Sequence, residues 1–273
     1  MIAGLSVCSG YGGLDLALEE YVKPIAYVEI EEYCQKIIAY RMAEGSLKRA
    51  PILADIKNVE GKFGICDILY GGTPCQNFSV AGDRKGLEGE RSSLFFEFAR
   101  LAREIKPSLI FWENVPGART KGFTEVARTF AEMGYDCRWT IVSAQAVGAN
   151  HRRERLFMLA HAIDPRGWQT EVKRIKLKDS TFSWNDGEKE FMADTFDKNV
   201  GFAWGQKTKH SEFNVRSEQR TREAKPNHWS VEPDVGRVAN GVAFRVDRIK
   251  ALGNGVVPQQ ARVAFRYLIN QLD

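Results

Sequence analysis

The first 160 residues alternate short apolar runs with segments in which apolar residues recur every three or four positions. Short apolar runs bounded by turn residues predict strands, and the longer periodic segments predict helices. Strands and helices that alternate in this way indicate a βα series with a parallel sheet. The predicted strands are Ile2–Cys8, Pro24–Glu29, Cys66–Tyr70, Ser108–Trp112, Arg138–Ser143 and Leu156–Ala160.

Two segments between these strands carry apolar stripes at helical spacing, and both are expected to pack in the core. Ser92 or Ser93 is placed to cap the second helix. The stripes consist of Leu14, Ala17, Leu18 and Tyr21, and of Leu94, Phe98, Leu101 and Ile105.

The pattern changes after Ala160, where clear periodicity is lost until about Arg237. A chain of 273 residues is long enough for a large domain and a smaller one. The change therefore predicts a second domain. Helical spacing returns between Arg262 and Leu272, and this tail is expected to pack on the first domain.

Composition narrows the class of protein. No run approaches the roughly 20 apolar residues that cross a bilayer, and the first residues lack the features of a signal peptide, so we expect a cytoplasmic protein. The five cysteines include no Cys-x-x-Cys pair, which predicts free thiols and no metal site. The net charge of +4 favours a nucleic-acid partner only weakly, although basic residues cluster in Lys173–Lys178 and Lys198–Lys225.

Three features after the first strands are compatible with a nucleoside cofactor. Ser9–Gly13 forms a glycine-rich turn between a strand and a helix, where main-chain amides can face a ligand. Glu29 ends the second strand, where a carboxylate can accept hydrogen bonds from ribose hydroxyls, and Asp55 can accept from an exocyclic amine. Each feature alone is equally compatible with an ordinary turn or a surface charge.

A Pro-Cys pair, Pro74–Cys75, follows the apolar strand that ends near Tyr70. A cysteine at this point would lie at the carboxyl edge of the sheet, where open α/β sheets bind ligands. Cysteine is often a small buried residue, but the neighbouring glycines, proline and polar side chains argue against burial here.

Two more segments bring charged groups to the same region. Glu113 directly follows the apolar run 109–112, which places a proton-handling acid near the predicted nucleophile. This pair suits attack on carbon 6 of a pyrimidine, because an acid at ring nitrogen 3 stabilises the charge that develops. Arg153 and Arg155 precede the last strand and are expected to orient the acid and hold base or phosphate oxygens.

Taken in order, these segments resemble the conserved blocks of cytosine-5 DNA methyltransferases of the compact bacterial and phage kind. The resemblance covers about the first 160 residues and the last 40. The matching blocks are Gly10-Tyr11-Gly12-Gly13, Glu29, Asp55-Ile56, Pro74-Cys75-Gln76, Glu113-Asn114-Val115, Arg153-Glu154-Arg155 and Gly253-Asn254.

The resemblance implies a Rossmann-like α/β methyltransferase domain that uses S-adenosylmethionine, releases S-adenosylhomocysteine and needs no metal. It assigns this domain to residues 1–160 and 251–273, and a small inserted target-recognition domain to residues 161–250. Cys75 would be the nucleophile and Glu113 the partner of ring nitrogen 3, while Arg153 and Arg155 would support Glu113 and the flipped base. The implied cofactor residues are Ser9, Gly10, Tyr11, Gly12, Gly13, Leu14, Glu29, Ile30, Asp55, Ile56, Gly72, Pro74, Leu94, Asn254 and Val256.

The chain departs from the family pattern around the adenine. Cys8 stands where the family usually has an aromatic residue, and Ile30 stands where a larger side chain is common. Asn150-His151 replaces the usual Pro-Gln before the arginines. These changes affect the expected cofactor pocket more than the nucleophile or the acid.

The expected substrate is duplex DNA, from which the target cytosine is flipped into the pocket. The loop from Gln76 to Arg91 is expected to close over the base, with Gln76, Ser79, Arg84 and Lys85 as DNA contacts. Arg216, Arg220, Arg222 and Asn227 are candidates for reading bases. A monomer is expected, with a cognate restriction endonuclease as a candidate partner; the recognition sequence cannot be read from the chain.

Three other functions share part of this pattern. An RNA cytosine methyltransferase would use the same cofactor and similar residues. Thymidylate synthases also use Pro-Cys against a pyrimidine, but lack the glycine-rich opening and the Arg-Glu-Arg block. A DNA-binding regulator with an inactive methyltransferase fold is disfavoured by the presence of Cys75 and Glu113.

Overall fold

The computed structural model describes residues 1–73, 93–116, 122–163, 168–179 and 255–272. None of the helices within these ranges is both long and apolar enough to cross a lipid bilayer. The strands are β1 Ile2–Val7, β2 Val22–Val28, β3 Ile52–Leu53, β4 Ile68–Gly72, β5 Leu109–Asn114, β6 Tyr135–Ser143 and β7 Glu154–Ala162. The helices are α1 Gly13–Ala17, α2 Glu32–Glu44, α3 Ser93–Ile105, α4 Phe123–Glu132, α5 Trp168–Asp179 and α6 Pro258–Asn270, with 3-10 turns at Ile56–Asn58 and Gln145–Val147.

The six strands predicted from apolar runs are all present, with their ends shifted by a few residues. The two-residue strand β3 was not predicted, because two residues carry no alternation. The second helical stripe coincides with α3, whereas Tyr21 of the first stripe lies beyond the end of α1. Of the two predicted capping residues, Ser92 lies outside the described residues.

The described strands form one seven-stranded sheet in the order β3-β2-β1-β4-β5-β7-β6. β1 to β5 pair in parallel, but β7 runs antiparallel to both β5 and β6. The prediction of a parallel sheet is therefore wrong for β7. Residues 144–153 between β6 and β7 contain only the 3-10 turn, which is too short for the crossover that a parallel return needs.

Alternate residues of the central strands are buried on opposite faces of the sheet. Phe111 packs edge-on against Phe265 of α6, with ring centroids 5.1 Å apart, in the core that α1 also covers. Ile110, the preceding residue, belongs to the other core, together with Phe98 of α3 and Phe130 of α4. Both faces of the sheet are thus covered, as in doubly wound α/β folds.

Helix α5 lies within the range 161–250 that sequence reasoning assigned to the recognition domain, yet it packs on the sheet domain. Its Val172 and Ile175 are buried in the same core as Phe265. Lys176 donates from Nζ to the carbonyl of Leu272, at 2.5 Å, which joins α5 to the residues after α6. Within the predicted basic segment Lys173–Lys178, Ile175 and Lys176 therefore contact the protein, whereas Lys173 and Arg174 are exposed.

The strand order reverses between β1 and β4, so the chain leaves these neighbours in opposite directions across the sheet. Open α/β sheets bind their ligands outside the carboxyl ends of the strands at such a point. The glycine-rich turn follows β1, Thr73 follows β4, and Glu113 lies near the end of β5. The fold therefore brings these three segments to one crevice.

Candidate active site

The glycine-rich turn Ser9–Gly13 has the backbone shape that makes a ligand cradle. Gly10 and Gly12 have φ values of +57° and +82°, in the left-handed region that favours glycine. The amide of Gly12 donates to the carbonyl of Ser9 at 2.8 Å, which closes the turn. A Cβ added at Gly10 would meet no atom within 4 Å, so the main chain borders open space there.

Glu29 lies beside this turn and is held by main-chain amides. Its two carboxylate oxygens accept from the amides of Gly10, at 2.6 Å, and Glu31, at 2.8 Å. Burial raises the pKa of Glu29, and these two hydrogen bonds oppose the rise. Because each carboxylate oxygen can accept more than one hydrogen bond, Glu29 retains acceptor capacity for ribose hydroxyls.

A buried carboxylate that sequence reasoning missed lies beneath the turn. Asp15 accepts from the Tyr70 hydroxyl, at 2.7 Å, and from the Ser6 hydroxyl, at 3.1 Å. The hydroxyls of Ser6 and Ser9 lie 2.9 Å apart, so the network reaches the first residue of the turn. Burial raises the pKa of Asp15 to about 6, although these hydrogen bonds lower it. The network ties α1 and β4 to the base of the glycine-rich turn.

The adenine side of the predicted pocket is more apolar and open. Ile30 is 62% exposed, and Leu53 at the end of β3 is 38% exposed. Asp55 begins the first 3-10 turn, where its Oδ1 accepts from the amide of Lys57 at 2.9 Å. Cys8 adopts a φ of +51°, and burial raises the pKa of its thiol to about 12, which disfavours the reactive thiolate form.

Several residues predicted to line the cofactor pocket have side chains that pack in the hydrophobic cores. Leu14 is buried in the core on the α6 face of the sheet, and Ile56 is buried in the core on the α3 face. Leu94, in the first turn of α3, packs partly buried against that second core. These residues can therefore reach a ligand chiefly through main-chain atoms or through the exposed part of Leu94.

Glu113 and Arg155 form a buried ion pair at the crevice. Arg155 Nε lies 2.8 Å from Glu113 Oε1, and the two side chains are only about a tenth exposed. Burial raises the pKa of Glu113 to about 7, against the opposing charges of Arg155 and then Arg153. A carboxyl group with this pKa can donate or accept a proton near neutral pH.

The antiparallel direction of β7 explains how the arginine reaches this acid. Residues that precede a parallel strand lie at the opposite edge of the sheet from residues that follow one. Because β7 is antiparallel, its first residues lie at the carboxyl edge of β5, where Leu156 is in register with Asn114. The predicted contact between Glu113 and Arg155 is thus present. It depends on the antiparallel direction of β7, which sequence reasoning did not predict.

Gly72 leaves room for this acid on the neighbouring strand. It is in register with Glu113 across the β4–β5 pair. A Cβ added at Gly72 would lie 2.5 Å from Glu113 Oε2, closer than real contacts allow. Gly72 therefore contributes to the site by its lack of a side chain.

Arg153 contacts the C-terminal segment. Its guanidinium donates to the carbonyl of Gly255, and its backbone has a φ of +21°. The buried side chain of Gln260 donates to the Arg153 carbonyl at 2.8 Å and also to the Val142 carbonyl. These contacts hold a left-handed backbone residue in place beside the acid.

Thr73, the last described residue before the Pro-Cys pair, is fastened to β5. Trp112 Nε1 donates to the Thr73 hydroxyl at 3.0 Å, and Asn114 Nδ2 donates to the Thr73 carbonyl at 3.0 Å. Asn114 Oδ1 in turn accepts from the amide of Val115 at 2.8 Å. The side chains of β5 therefore fix the point at which the chain departs toward Cys75.

Other predicted residues lie outside the described part of the chain. They include the proposed nucleophile, two cofactor residues, the DNA-contact candidates of the loop after Cys75 and the candidates for reading bases. These residues are Pro74, Cys75, Gln76, Ser79, Arg84, Lys85, Arg216, Arg220, Arg222, Asn227 and Asn254. Val256 is described and buried, and it packs against Gly13.

Four supporting residues were not singled out from the sequence: Asp15, Thr73, Asn114 and Gln260. Asn114 carried a signal, because it directly follows Glu113 in a recognised block. Thr73 and Asp15 carried none, since their partners lie 39 and 55 residues away along the chain. Within the described residues, His, Cys, Asp and Glu side chains form no group of three arranged to hold a metal ion.

Comparison with known proteins places this arrangement in a family. Residues 2–265 match the family described as C-5 cytosine-specific DNA methylase. Type II methyltransferase M.CviJI of Paramecium bursaria Chlorella virus IL3A is 31% identical over 193 residues, which cover 70% of this chain and 50% of that protein. Type II methyltransferase M.HhaI of Haemophilus parahaemolyticus is 34% identical over 192 residues, covering 64% of this chain and 57% of that protein.

A solved structure, the Dnmt2 methyltransferase of S. pombe, superimposes with a TM-score of 0.49 and 22% identity over 69% of this chain and 58% of that one. The chain spans about half the length of the curated relatives it matches. The family match extends from β1 into α6 and includes the segments that form the crevice. The chain belongs to the C-5 cytosine-specific DNA methylase family.

Proposed function

We propose that the chain methylates carbon 5 of a cytosine in duplex DNA, with Cys75 as the nucleophile. The observation that carries this proposal is the buried pair of Glu113 and Arg155 beside the end of β4. An acid poised near neutrality in this crevice is the group needed when a thiolate attacks a pyrimidine ring.

Chain connectivity supports the place of Cys75 in this scheme. Cys75 follows Thr73 by two residues, and consecutive Cα atoms are about 3.8 Å apart, so its Cα lies within about 7.6 Å of that of Thr73. Gly72, one residue earlier, is in register with Glu113. Cys75 is thus only three residues from Gly72 of β4, the residue in register with Glu113 of β5.

In the proposed reaction, the Cys75 thiolate forms a bond with carbon 6 of the cytosine. Protonated Glu113 donates to ring nitrogen 3, so the electron pair displaced from the 5,6 double bond is stabilised as an enamine. Arg155 holds the Glu113 carboxyl in position through the bond at 2.8 Å. After carbon 5 has gained its substituent, its proton leaves to a base or water, the bond to Cys75 breaks and the aromatic ring is restored.

The described residues fit S-adenosylmethionine as the cofactor. The open space at Gly10, the Glu29 carboxylate and the exposed Ile30 and Leu53 side chains provide room, a ribose acceptor and apolar surface in one place. Glu29 would hold the ribose, and Asp55 the adenine amine. When bound, this cofactor supplies the methyl group that carbon 5 accepts and leaves as S-adenosylhomocysteine.

We assign duplex DNA as the substrate because the chain belongs to a DNA methylase family. We also propose that the target cytosine is flipped out of the duplex, because a thiol cannot reach carbon 6 of a stacked cytosine. Since α5 packs on the sheet domain, we place the start of the target-recognition domain after Asp179 rather than at residue 161. The DNA contacts predicted from Gln76 to Lys85 and from Arg216 to Arg222 belong to this proposal.

The proposal is tested by transfer of labelled methyl groups from S-adenosylmethionine to duplex DNA and, in parallel, to transfer RNA. We expect the purified chain to label DNA, Cys75→Ala to fall to background, and the control Cys34→Ala, at a buried thiol in α2, to match the wild type. Wild-type labelling by Cys75→Ala would refute the nucleophile. Labelling of transfer RNA alone would assign the rival RNA activity.

A further inference from the structure

The side chain of Tyr11 crosses from the glycine-rich turn to the C-terminal segment. Its hydroxyl donates to the carbonyl of Val256 at 3.3 Å. A Cβ added at Gly255 would overlap the Tyr11 ring and hydroxyl, so the ring lies directly on the Gly255 main chain. A Cβ added at Gly13 would lie 2.9 Å from Val256 Cγ1, which shows that the two segments interlock.

Arg41 of α2 holds Tyr11 in this position. Its guanidinium donates to the Tyr11 carbonyl at 2.6 Å. The same guanidinium lies 5.3 Å from the centroid of the Tyr11 ring, within the range of a cation–π contact. Main chain and ring of Tyr11 are therefore both restrained from one side.

Arg153 also contacts the C-terminal segment that begins at Gly255, on which the Tyr11 ring lies. Arg153 donates to the Gly255 carbonyl, and Gln260, five residues after Gly255, donates to the Arg153 carbonyl at 2.8 Å. Arg153 thus contacts residues 255–260 through both its side chain and its main chain. The charge of Arg153 in turn acts on Glu113.

From these contacts we infer that Tyr11 is a positioning residue that clamps Gly255 and Val256 against Arg153, so that the cofactor turn and the catalytic acid are assembled together. This inference rests on the proposed function and adds to it a dependence between two parts of the site. Disturbing the clamp should weaken cofactor binding and slow methyl transfer at once, although Tyr11 takes part in no bond-making step.

Gly255 offers a sharp test because a Cβ added there would lie 2.0 Å from the Tyr11 hydroxyl oxygen and 2.2 Å from two of its ring carbons. If the effect of Gly255→Ala comes from this overlap, removing the ring should relieve it. Leucine at position 11 lacks the ring atoms that cause this overlap. Tyr11→Leu should therefore restore room for the added methyl group in a double variant.

The measurement is calorimetric binding of S-adenosylhomocysteine to the full chain without DNA, together with kcat and the KM for S-adenosylmethionine. We expect Gly255→Ala to weaken binding at least tenfold and to lower kcat, and Tyr11→Leu to weaken binding about threefold to fivefold. The double variant should match Tyr11→Leu rather than the product of the two losses. Gly61→Ala is the matched control, because its added Cβ would lie 2.5 Å from Glu104 Cβ of α3 and so creates a comparable overlap that does not involve Tyr11 or Gly255; it should bind like the wild type.

Each outcome decides the inference. Wild-type binding by Gly255→Ala, or a double variant no better than Gly255→Ala, overturns it while leaving the proposed function intact. If Gly255→Ala does not fold by circular dichroism, Tyr11→Leu alone decides, because wild-type binding and turnover by that variant also overturn the clamp. Absence of binding by the wild type would instead count against the proposed function.

Discussion

Glu113 shows how one residue acquires its chemistry from its surroundings. Removal from water favours the neutral acid, whereas the positive charges of Arg155 and Arg153 favour the carboxylate. Burial is the larger effect and raises the pKa to about 7. A carboxyl group whose pKa is raised toward neutrality in this way suits the proton donor to ring nitrogen 3 in the proposed reaction.

This balance predicts the pH dependence of methyl transfer. Raising the pH through 7 deprotonates Glu113 and removes the donor to ring nitrogen 3, so the single-turnover rate of the wild type should fall on the alkaline side. Glu113→Gln keeps an N–H donor at all pH values but cannot transfer a proton. We expect this variant to be about 100-fold slower and to lack the alkaline decline.

The matched control for this prediction is Glu125→Gln, the same change at a half-exposed position of α4. It should keep both the rate and the pH profile of the wild type. An alkaline decline that persists unchanged in Glu113→Gln would show that another group titrates, and a wild-type rate in that variant would remove Glu113 from the mechanism.

At the residue scale, the sequence predicted the position of Glu113 and its arginine partner but not the burial that sets its pKa. Glu113 follows an apolar run, so its place at the end of a strand was predictable. Its ionisation was not, because the pKa depends on burial and on Arg155, which is 42 positions later in the chain. The burial of the Leu14 and Ile56 side chains in the two cores was not predictable either, since a match to a motif does not say which way a side chain points.

At the scale of elements, the short strands were predictable and the direction of β7 was not. Apolar runs mark β4 and β5 because both faces of these strands are covered. The same signal is present in β7 whichever way it runs, so periodicity carries no information on its direction. That direction is what places Arg155 beside Glu113.

The junction of β4 and β5 leads to a second prediction. Asn114 is buried and supplies the amide that holds the Thr73 carbonyl, two residues before Cys75. Asn114→Ala leaves this carbonyl without that donor, which should lower the free energy of unfolding by about 1–3 kcal/mol. It should also reduce the methyl-transfer rate at least tenfold, because small displacements of reacting groups are costly.

Tyr135→Phe separates these two effects. The Tyr135 hydroxyl donates to the Pro107 carbonyl at 2.7 Å, at the opposite edge of the sheet from the crevice. Its loss should lower the free energy of unfolding by about 1 kcal/mol without slowing methyl transfer. If chemical denaturation and rate measurements show that Asn114→Ala is destabilised but fully active, Thr73 does not position the nucleophile.

At the scale of the whole molecule, residues distant in sequence build one crevice. The N-terminal turn supplies Gly10, β5 supplies Glu113, β7 supplies Arg155, and the C-terminal segment supplies Gly255. Such an assembly was predictable only as an order of motifs along the chain. The packing of α5 on the sheet domain was not, because its mixed charged sequence resembles a basic partner-binding segment.

The central claim is that Cys75 bonds to carbon 6 of a cytosine in duplex DNA. Its most direct measurement uses duplex DNA synthesised with 5-fluorocytosine in place of cytosine, incubated with the full chain and S-adenosylmethionine. Fluorine cannot leave carbon 5 as a proton does, so the account predicts a protein–DNA adduct that survives a denaturing gel. The adduct should be present in the wild type and in Cys34→Ala and absent in Cys75→Ser. A wild type that forms no adduct while methylating normal DNA, or an adduct that persists in Cys75→Ser, would contradict it.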